Sequence, residues 1–327
     1  MQRCDSSSRT FVLPWFVGYP TSFATFTSAD GFQYFLMASP TGLHFLRMEP
    51  GSHGNLQYGR TIMGGSCIDV VLVERSAGGS TSTSRFVVVA LFNDSIDTES
   101  RKSLVFFDGS LLDTASSSTP LYRMTCERAW GHVLKMVWCS SLESLLISSQ
   151  VRQGLDGHLQ SGSVWKVPMS FRNEFDCPPC SAAVRIIHKK PAIFRNMAIN
   201  DQEAMLAISD QNDGKNFLVD LYCIKSGDRL FTISEGSSAG GWPIGTVWYP
   251  RGLFFGQHHR LYVVDETGRI QRFNLQQRRC EAIVYRTAFD LPESMVADGV
   301  QLFVLGSQRG LTKSVQKGGY LTVFLLD

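Results

Sequence analysis

The chain has 327 residues, of which 43% are hydrophobic and 18% are charged, and its formal net charge at pH 7 is +2. A chain of this length and composition buries a large core, which excludes a fold that depends on disulfides or metals alone. The small net charge excludes a molecule-wide field that would steer nucleic acid or an anionic membrane. No apolar run approaches the ~20 residues that a membrane-spanning helix requires.

Short apolar segments separated by Gly-, Ser- and Thr-rich turns recur along the chain and predict β-strands, whereas no segment predicts a helix. The strands recur as a set of three consecutive strands, here called a phrase, which occurs six times. In chain order the phrases comprise 23–27, 32–38 and 43–48; 67–73, 85–92 and 102–107; 133–138, 145–149 and 163–167; 194–199, 204–209 and 217–223; 246–249, 261–264 and 269–275; and 294–297, 302–306 and 320–326. In the fifth phrase, a further apolar segment at 253–255 blurs the start. Such recurrence indicates a repeated sheet.

A fourth strand follows each of the first five phrases, at 56–63, 121–126, 182–188, 230–234 and 280–285. The sixth phrase lacks one, and strand 11–17 is left unassigned. Pairing 11–17 with 320–326 supplies the missing strand and removes an exposed edge. The sequence therefore predicts an all-β fold: one β-propeller domain over residues 1–327, with six four-stranded blades and a disordered segment at 1–9. A seventh blade and a pair of β-sandwiches are the alternatives that this pattern allows.

Several short motifs lie where a known repeat family places its own. Gly131-His132 precedes a first strand, Phe107-Asp108 and Phe273-Asn274 end third strands, and 265–270 and Asp213-Gly214 match tight turns between second and third strands. By these motifs and its strand order, the chain resembles a degenerate WD40-type β-propeller over nearly its full length, although it has no Trp-Asp dipeptide. The resemblance implies a ring that receives partners on the face formed by these turns and by the loops between blades.

Two pairs of potential metal ligands stand out in the sequence. Cys177 and Cys180 have the spacing of half a zinc site, but no second pair completes it, so a pair of surface thiols is the simpler interpretation. His258 and His259 are adjacent and would point to opposite faces of a strand, which favours a turn or solvent-facing role. We expect no metal site.

The predicted central channel carries few polar groups. Asp69, Asn196 and Asp298 are the first-strand residues that could converge there, as ligands and carboxylates do in propeller enzymes. Three such groups over six blades are as well explained by hydration of the channel. The sequence has neither a nucleophile elbow nor a phosphate-binding loop. We therefore expect no catalytic residue, no cofactor and no small-molecule substrate, with a channel-centred enzyme as an alternative.

Large aromatic and basic side chains in the predicted interblade loops are candidate anchors for a partner protein, because Trp and Tyr dominate binding hot spots. These candidates are Tyr19, Trp130, Lys189, Lys190, Trp242 and Phe289. Trp130 and Trp242 are equally well interpreted as side chains that cover the core at a blade edge. The remaining tryptophans fall on predicted strands and are interpreted as packing residues: Trp15, Trp138, Trp165 and Trp248.

Acidic residues recur in the turns between second and third strands. They are Asp94, Asp97, Glu99, Asp210, Asp213, Asp265 and Glu266. Beside aromatic anchors, these carboxylates would suit a basic peptide or a basic helix. Asp210, Asp213 and Asp265 are also typical turn formers, because their side chains accept hydrogen bonds from nearby backbone amides.

Two basic clusters favour a different partner. They comprise Arg185, His188, Lys189, Lys190 and Arg195, and Arg272, Arg278 and Arg279. RNA-binding surfaces combine such charges with aromatic rings that stack on bases. Acidic residues elsewhere nearly balance these charges, so solvated loops explain them as well.

The preferred hypothesis is a non-catalytic protein-interaction scaffold that acts as a subunit of a larger complex. A nucleic-acid-associated propeller within a ribonucleoprotein is the alternative. The eight cysteines are scattered and show no disulfide framework, which favours a reducing compartment, the cytoplasm or the nucleus. Membrane binding is not expected, and the sequence does not identify the partner.

Overall fold

The computed structural model describes residues 8–14, 17, 19–28, 31–50, 55–74, 86–94, 102–109, 119–126, 130–153, 159–169, 182–212, 216–235, 244–287, 291–299, 301–307 and 319–326. These residues form 24 β-strands in six antiparallel sheets of four, and they contain no α-helix. Inner strands of successive sheets contact one another in order, and the sixth contacts the first. The prediction of an all-β, six-bladed propeller is confirmed.

The first strand, β1 (Arg9–Val12), belongs to the last blade. Blades 1 to 3 consist of β2 (Ser22–Thr27), β3 (Gln33–Ser39), β4 (Gly42–Met48) and β5 (Leu56–Gly64); β6 (Ser66–Glu74), β7 (Phe86–Asn93), β8 (Lys102–Asp108) and β9 (Tyr122–Thr125); and β10 (His132–Cys139), β11 (Ser144–Gln153), β12 (Leu159–Pro168) and β13 (Val184–Lys189). Blades 4 to 6 consist of β14 (Phe194–Asn200), β15 (Met205–Asn212), β16 (Asn216–Cys223) and β17 (Arg229–Glu235); β18 (Pro250–Gly256), β19 (Arg260–Asp265), β20 (Arg269–Asn274) and β21 (Arg279–Arg286); and β22 (Leu291–Asp298), β23 (Gln301–Ser307) and β24 (Gly319–Leu325), completed by β1.

The sequence-based prediction was wrong at the start of blade 5. We expected 246–249 to be the inner strand, whereas the inner strand is β18, which begins at Pro250. Tyr249 has a φ of 49°, in the left-handed region, so the backbone cannot continue as a strand through it. The N-terminal strand also differs from the expected 11–17, since β1 begins at Arg9 and ends at Val12, and Arg9 therefore belongs to a strand and not to the disordered segment expected at 1–9.

The hydrophobic core lies between the blades. Six clusters of buried side chains each join two neighbouring sheets, including one between blades 6 and 1. Strand β7 shows the principle: Val87, Val89 and Leu91 face blade 3, whereas Val88 and Ala90 face blade 1. Side chains alternate between the faces of a strand, so a sheet that is buried on both faces needs a continuous apolar run.

Strands from the two ends of the described chain close the ring. Strand β1 pairs antiparallel with β24, in a register that places Thr10 opposite Thr322, and their hydroxyls lie 2.9 Å apart. The next residue after β1, Leu13, donates its backbone N–H to the carbonyl of Gly319 at 2.8 Å. Its side chain is buried in the cluster between blades 6 and 1. The seam therefore includes both backbone pairing and core packing.

Inner strands in five of the six described blades carry a β-bulge close to the same end. The residues at the interruption of pairing are Ile68, Leu134, Arg195, Arg251 and Glu293. Each is the second or third residue of its strand and precedes the residues that line the central channel. A bulge bends the strand and redirects a side chain. These positions therefore form a series around one mouth of the channel.

The seam is tested by two adjacent substitutions. Leu13 is 2% exposed and Val12 is 69% exposed. We expect Leu13→Ala to lower the free energy of unfolding by about 2–5 kcal/mol, because it leaves a cavity between blades 6 and 1. Val12→Ala, which removes a solvent-facing side chain, is expected to change it by less than about 0.5 kcal/mol. Urea unfolding measures both, and equal effects would contradict the described seam.

Candidate protein-interaction face

Two classes of connection lie at the same end of the ring because neighbouring antiparallel strands alternate in direction. One class comprises the interblade loops, which lead from the outer strand of one blade to the inner strand of the next. The other comprises the turns between second and third strands. We call this end the interblade face and the other end the opposite face.

A buried ion-pair network fixes the interblade loop before blade 4. Lys189 ends β13, and its Nζ lies 2.7 Å from Asp210 Oδ2 and 2.7 Å from Asp220 Oδ2. Asp210 Oδ1 accepts a hydrogen bond from the backbone N–H of Ile193 at 2.9 Å. Burial by itself would lower the pKa of Lys189, but the hydrogen bonds to the two aspartates and their charges raise it overall. Lys189 therefore holds blades 3 and 4 together, and its charge is neutralised within the fold.

A second network fixes the interblade loop before blade 5. Asp265 Oδ2 accepts hydrogen bonds from Arg269 Nε at 3.1 Å and Nη2 at 2.7 Å. Arg269 Nη2 and Gln271 Nε2 donate to the carbonyl of Thr246 at 3.0 and 2.7 Å. The backbone N–H of Gly268 donates to the Asp265 carbonyl, which forms the tight turn that the sequence predicted at 265–270. Loop and turn are thus locked to one another.

The sequence-predicted anchors have different positions in the structure. Trp130 is 1% exposed and lies in the core between blades 2 and 3, so of its two interpretations the structure shows the one in which it covers the core. Tyr19 is 41% exposed, and Lys190 is also exposed, on interblade loops. Trp242 and Phe289 lie outside the described residues.

The expected acidic surface does not form from the acids that the structure describes. Asp210 and Asp265 are buried in the networks above, and Asp94 contacts Arg123 and Ser103. Asp97, Glu99 and Asp213 lie outside the described residues. Glu266 is partly exposed, and its Oε1 lies 3.7 Å from Arg251 Nη2. The described carboxylates thus act mainly as internal partners of basic side chains.

Sequence reasoning missed a group of residues between blades 4 and 5. Arg195, Tyr249 and Arg251 line one small recess of about 10 Å³, and the Trp248 ring lies 5.1 Å from the Tyr249 ring. We call these four residues the Arg–aromatic surface. The sequence assigned Arg195 to a basic cluster and Trp248 to a strand, and it did not single out Tyr249 or Arg251. The run Trp-Tyr-Pro-Arg at 248–251, directly before an inner strand, was the available signal.

The basic clusters do not form one surface in the structure. Besides Lys189, Arg185 lies over the Trp165 ring at 5.9 Å, and Arg272 Nε donates to Glu281 Oε2 at 2.8 Å. Arg278 lies over the Phe231 ring at 4.6 Å. Arg185 is on the outer strand of blade 3, whereas Arg272 is on the third strand of blade 5 and Arg278 is in the turn that follows that strand.

The central channel is lined by the inner strands of all six blades and has a volume of about 270 Å³. Of the three polar candidates, Asn196 lines it. Asp69 is buried near the interblade face, where Lys135 Nζ donates to it at 2.7 Å. Asp298 ends β22 at the opposite face and accepts a hydrogen bond from Thr27 Oγ1 at 2.6 Å. The structure therefore separates Asp69 from Asp298 along the channel.

The described residues contain no group of three or more His, Cys, Asp or Glu side chains that could hold a metal ion. His258 and His259 are exposed turn residues on the opposite face, with φ values of 57° and 56°. His259 Nδ1 contacts Glu203 of blade 4, a partner that the sequence did not reveal. Cys177 and Cys180 lie outside the described residues. The part of the chain that is described also has no helix with the length and hydropathy of a membrane span.

Lys102 is a buried lysine that no described carboxylate neutralises. It is 5% exposed, and its Nζ donates to the carbonyl of Val133 and lies 3.3 Å from His132 Nε2. Burial lowers the pKa of Lys102 from 10.5 to about 8, against a smaller opposing effect of Cys126. Its charged form therefore destabilises the interface between blades 2 and 3.

The fold is similar to that of many solved structures. One is the crystal structure of the WD40 β-propeller domain of Doa1, with a TM-score of 0.50, 10% sequence identity, and coverage of 98% of this chain and 97% of that one. No protein-family model matches the sequence, and no curated protein matches it. At this identity the similarity shows the fold alone: the chain is a β-propeller that resembles a WD40 propeller.

The role of Lys189 is tested by its removal. Lys189→Met removes the cation that bridges two buried carboxylates, so we expect the free energy of unfolding to fall by about 3–5 kcal/mol. Lys190→Met, at the exposed neighbour, is expected to change it by less than about 0.5 kcal/mol. Lys189→Arg keeps the positive charge and is therefore expected to retain more of the free energy of unfolding than Lys189→Met. Similar denaturation midpoints for Lys189→Met and Lys190→Met would contradict the network.

Removal of Lys102 is expected to raise the free energy of unfolding, opposite to removal of Lys189, and this effect should depend on pH. The unfolded chain holds this proton up to about pH 10.5 and the folded chain only up to about pH 8, so folding stability gains from deprotonation as the pH rises between these values. We expect Lys102→Met to be more stable than the wild type by about 1–3 kcal/mol at pH 7. The difference should shrink from pH 8 to pH 10.5. Urea unfolding at a series of pH values measures it, and a difference independent of pH would refute the assignment.

Proposed function

We propose that this chain is a non-catalytic protein-interaction platform that works as a subunit of a larger complex. One observation carries the proposal: buried ion pairs lock the loops of the interblade face at blades 4 and 5. A surface whose loops are fixed before binding loses little conformational entropy when a partner docks. WD40 propellers, whose fold this chain shares, generally bind other proteins.

The proposal treats residues 1–327 as one domain in a reducing compartment, the cytoplasm or the nucleus. Cysteines that are free thiols among the described residues include Cys67, Cys139, Cys223 and Cys280. Free thiols within a folded domain suit such a compartment. Of the anchors that the sequence singled out, Tyr19 and Lys190 remain candidates on the interblade face, and so do Trp242 and Phe289, which lie outside the described residues.

Affinity purification from the native cells tests this function. The tagged wild type is compared with an interblade-face variant, Tyr19→Ala with Lys190→Ala, and an opposite-face variant, Gln202→Ala with His258→Ala. All four side chains are exposed, so we expect the variants to fold. Mass spectrometry should identify a stoichiometric partner that the interblade-face variant captures several-fold less and the opposite-face variant retains.

Two outcomes would contradict the proposal. Absence of any stoichiometric partner would remove the platform function. Loss of the partner from the opposite-face variant alone would place the interaction at the other end of the ring.

A further inference from the structure

The Arg–aromatic surface lies at the mouth of the central channel on the interblade face. Arg195 and Arg251 occupy equivalent β-bulges at the starts of β14 and β18, and Glu293 occupies the next one, in β22. The bulges place two guanidinium groups close together, and repulsion from Arg251 adds to burial in lowering the pKa of Arg195. Two guanidinium groups that the backbone brings together can both donate charge-assisted hydrogen bonds to one anion.

Most donors of the two arginines have no hydrogen-bond acceptor in the described part of the chain. Arg195 uses Nε to reach Gln211 Oε1 at 3.2 Å. Arg251 Nη1 lies 3.8 Å from Glu293 Oε2 and Nη2 lies 3.7 Å from Glu266 Oε1, and both distances exceed those of hydrogen bonds. Arg251 Nε is buried without a partner. The internal carboxylates therefore position Arg251 but do not satisfy its donors.

Aromatic rings flank the arginines. Tyr249 packs on Phe217 with ring centroids 3.8 Å apart, and Trp248 meets the same Phe217 edge-on at 4.7 Å. The guanidinium of Arg251 lies 5.9 Å from the Tyr249 ring centroid. Ile244, earlier in the same loop, is 63% exposed. Trp, Tyr and Arg are the residue types that dominate binding hot spots, and here they are adjacent.

Hydrogen bonds from the adjacent turn and strand fix the backbone that carries these side chains. The backbone N–H of Glu266 donates to the carbonyl of Trp248 at 2.9 Å, and Thr246 accepts hydrogen bonds from Arg269 and Gln271. Tyr249 keeps a left-handed φ of 49°, a conformation that persists in a non-glycine residue only when its surroundings impose it. The surface is therefore preorganised for a ligand.

We propose that the Arg–aromatic surface binds a segment of a partner protein in which an Asp or Glu carboxylate is adjacent to an apolar side chain. The carboxylate accepts paired hydrogen bonds from Arg195 and Arg251, and the apolar side chain packs on Tyr249 and Trp248. This inference rests on the proposed function and specifies the partner's chemistry. It reverses the charge expected from the sequence, because the described interblade-face aspartates are used within the fold.

The surroundings favour a single carboxylate over a nucleic-acid backbone. Glu266 and Glu293 lie beside the arginines and would repel a row of phosphates, whereas a single carboxylate brings only one negative charge against them. Lys189, which belongs to the same basic cluster as Arg195, is already neutralised by Asp210 and Asp220. Sustained nucleic-acid binding requires several unpaired cations along a path.

Selection with random peptides tests the inference. Short peptides displayed on phage are selected against the full-length protein, then synthesised with a fluorescent label, and their Kd values are measured by anisotropy. We expect the selected peptides to share an Asp or Glu whose replacement by Asn or Gln weakens binding roughly tenfold or more. Arg195→Gln and Arg251→Gln should weaken binding of the acidic peptide by a similar factor and have little effect on binding of its neutral version.

Two further variants make the readout specific. Arg251→Lys keeps the charge, but lysine cannot donate two parallel hydrogen bonds. Its affinity for the acidic peptide should therefore lie between those of Arg251→Gln and the wild type. Arg260→Gln is the matched control: its side chain is 30% exposed against 20% for Arg251, its Nε lies 3.4 Å from Glu281, and it lines a groove on the opposite face. It should bind the acidic peptide like the wild type.

The inference is overturned if no peptide is selected, if the selected peptides lack an essential acid, or if the Arg195 and Arg251 variants bind them unchanged. Binding of labelled oligouridine at physiological ionic strength that these variants abolish would assign the surface to nucleic acid instead. If the peptide selection fails while the affinity purification captures a partner, the platform function stands and only the proposal of an acidic partner segment is refuted.

Discussion

Closure of the ring is the constraint on which the rest of the structure depends. Every blade is apolar on both faces, so each sheet is stable only with a neighbour on either side. An open arrangement would expose one face of blade 1 and one of blade 6. Packing of blade 6 on blade 1, to which the buried side chain of Leu13 contributes, covers both faces, and pairing of β1 with β24 gives the last sheet its fourth strand.

A closed ring also determines where polar groups can act. Inner strands converge on a narrow channel, and the bulges near their starts bring Arg195, Arg251 and Glu293 to one mouth of it. Buried charges then connect the loops above these strands to the sheets, at Lys189 in blade 3 and at Asp265 in blade 5. The interblade face thus combines fixed loops with exposed or half-buried arginine and aromatic side chains, which is the arrangement that a preorganised binding surface requires.

Strand number and order could be predicted from the sequence because burial of both sheet faces produces long apolar runs that turns interrupt regularly. The start of blade 5 could not, since Val247 and Trp248 have strand propensity, and only the tertiary structure places Tyr249 in a left-handed conformation. Trp130 is an aromatic loop residue whose burial depends on the neighbouring blade. Its position in a loop therefore could not distinguish a partner-binding anchor from a side chain that covers the core.

The candidate site was less predictable than the fold. Ion pairs such as that of Lys189 with Asp210 and Asp220 join residues far apart in sequence. The sequence pattern therefore assigned Lys189 to a loop anchor and Asp210 to an acidic turn, and it assigned no role to Asp220. Bulges shift the alternation of side chains by one residue, and a regular strand pattern therefore misplaces Arg195 and Arg251. Only the tertiary structure brings these residues beside Tyr249.

Hydrogen exchange of the backbone amides, followed by mass spectrometry on the isolated protein, measures whether the loops of the interblade face are fixed before any partner binds. The decisive amides are those of Ile193, Gly245, Glu266 and Thr267, which are hydrogen-bonded within the loops and turns. We expect protection at these positions to approach that of the adjacent strands. Exchange at the rate of an unstructured peptide would show that the face is mobile and that its loops are not fixed before binding.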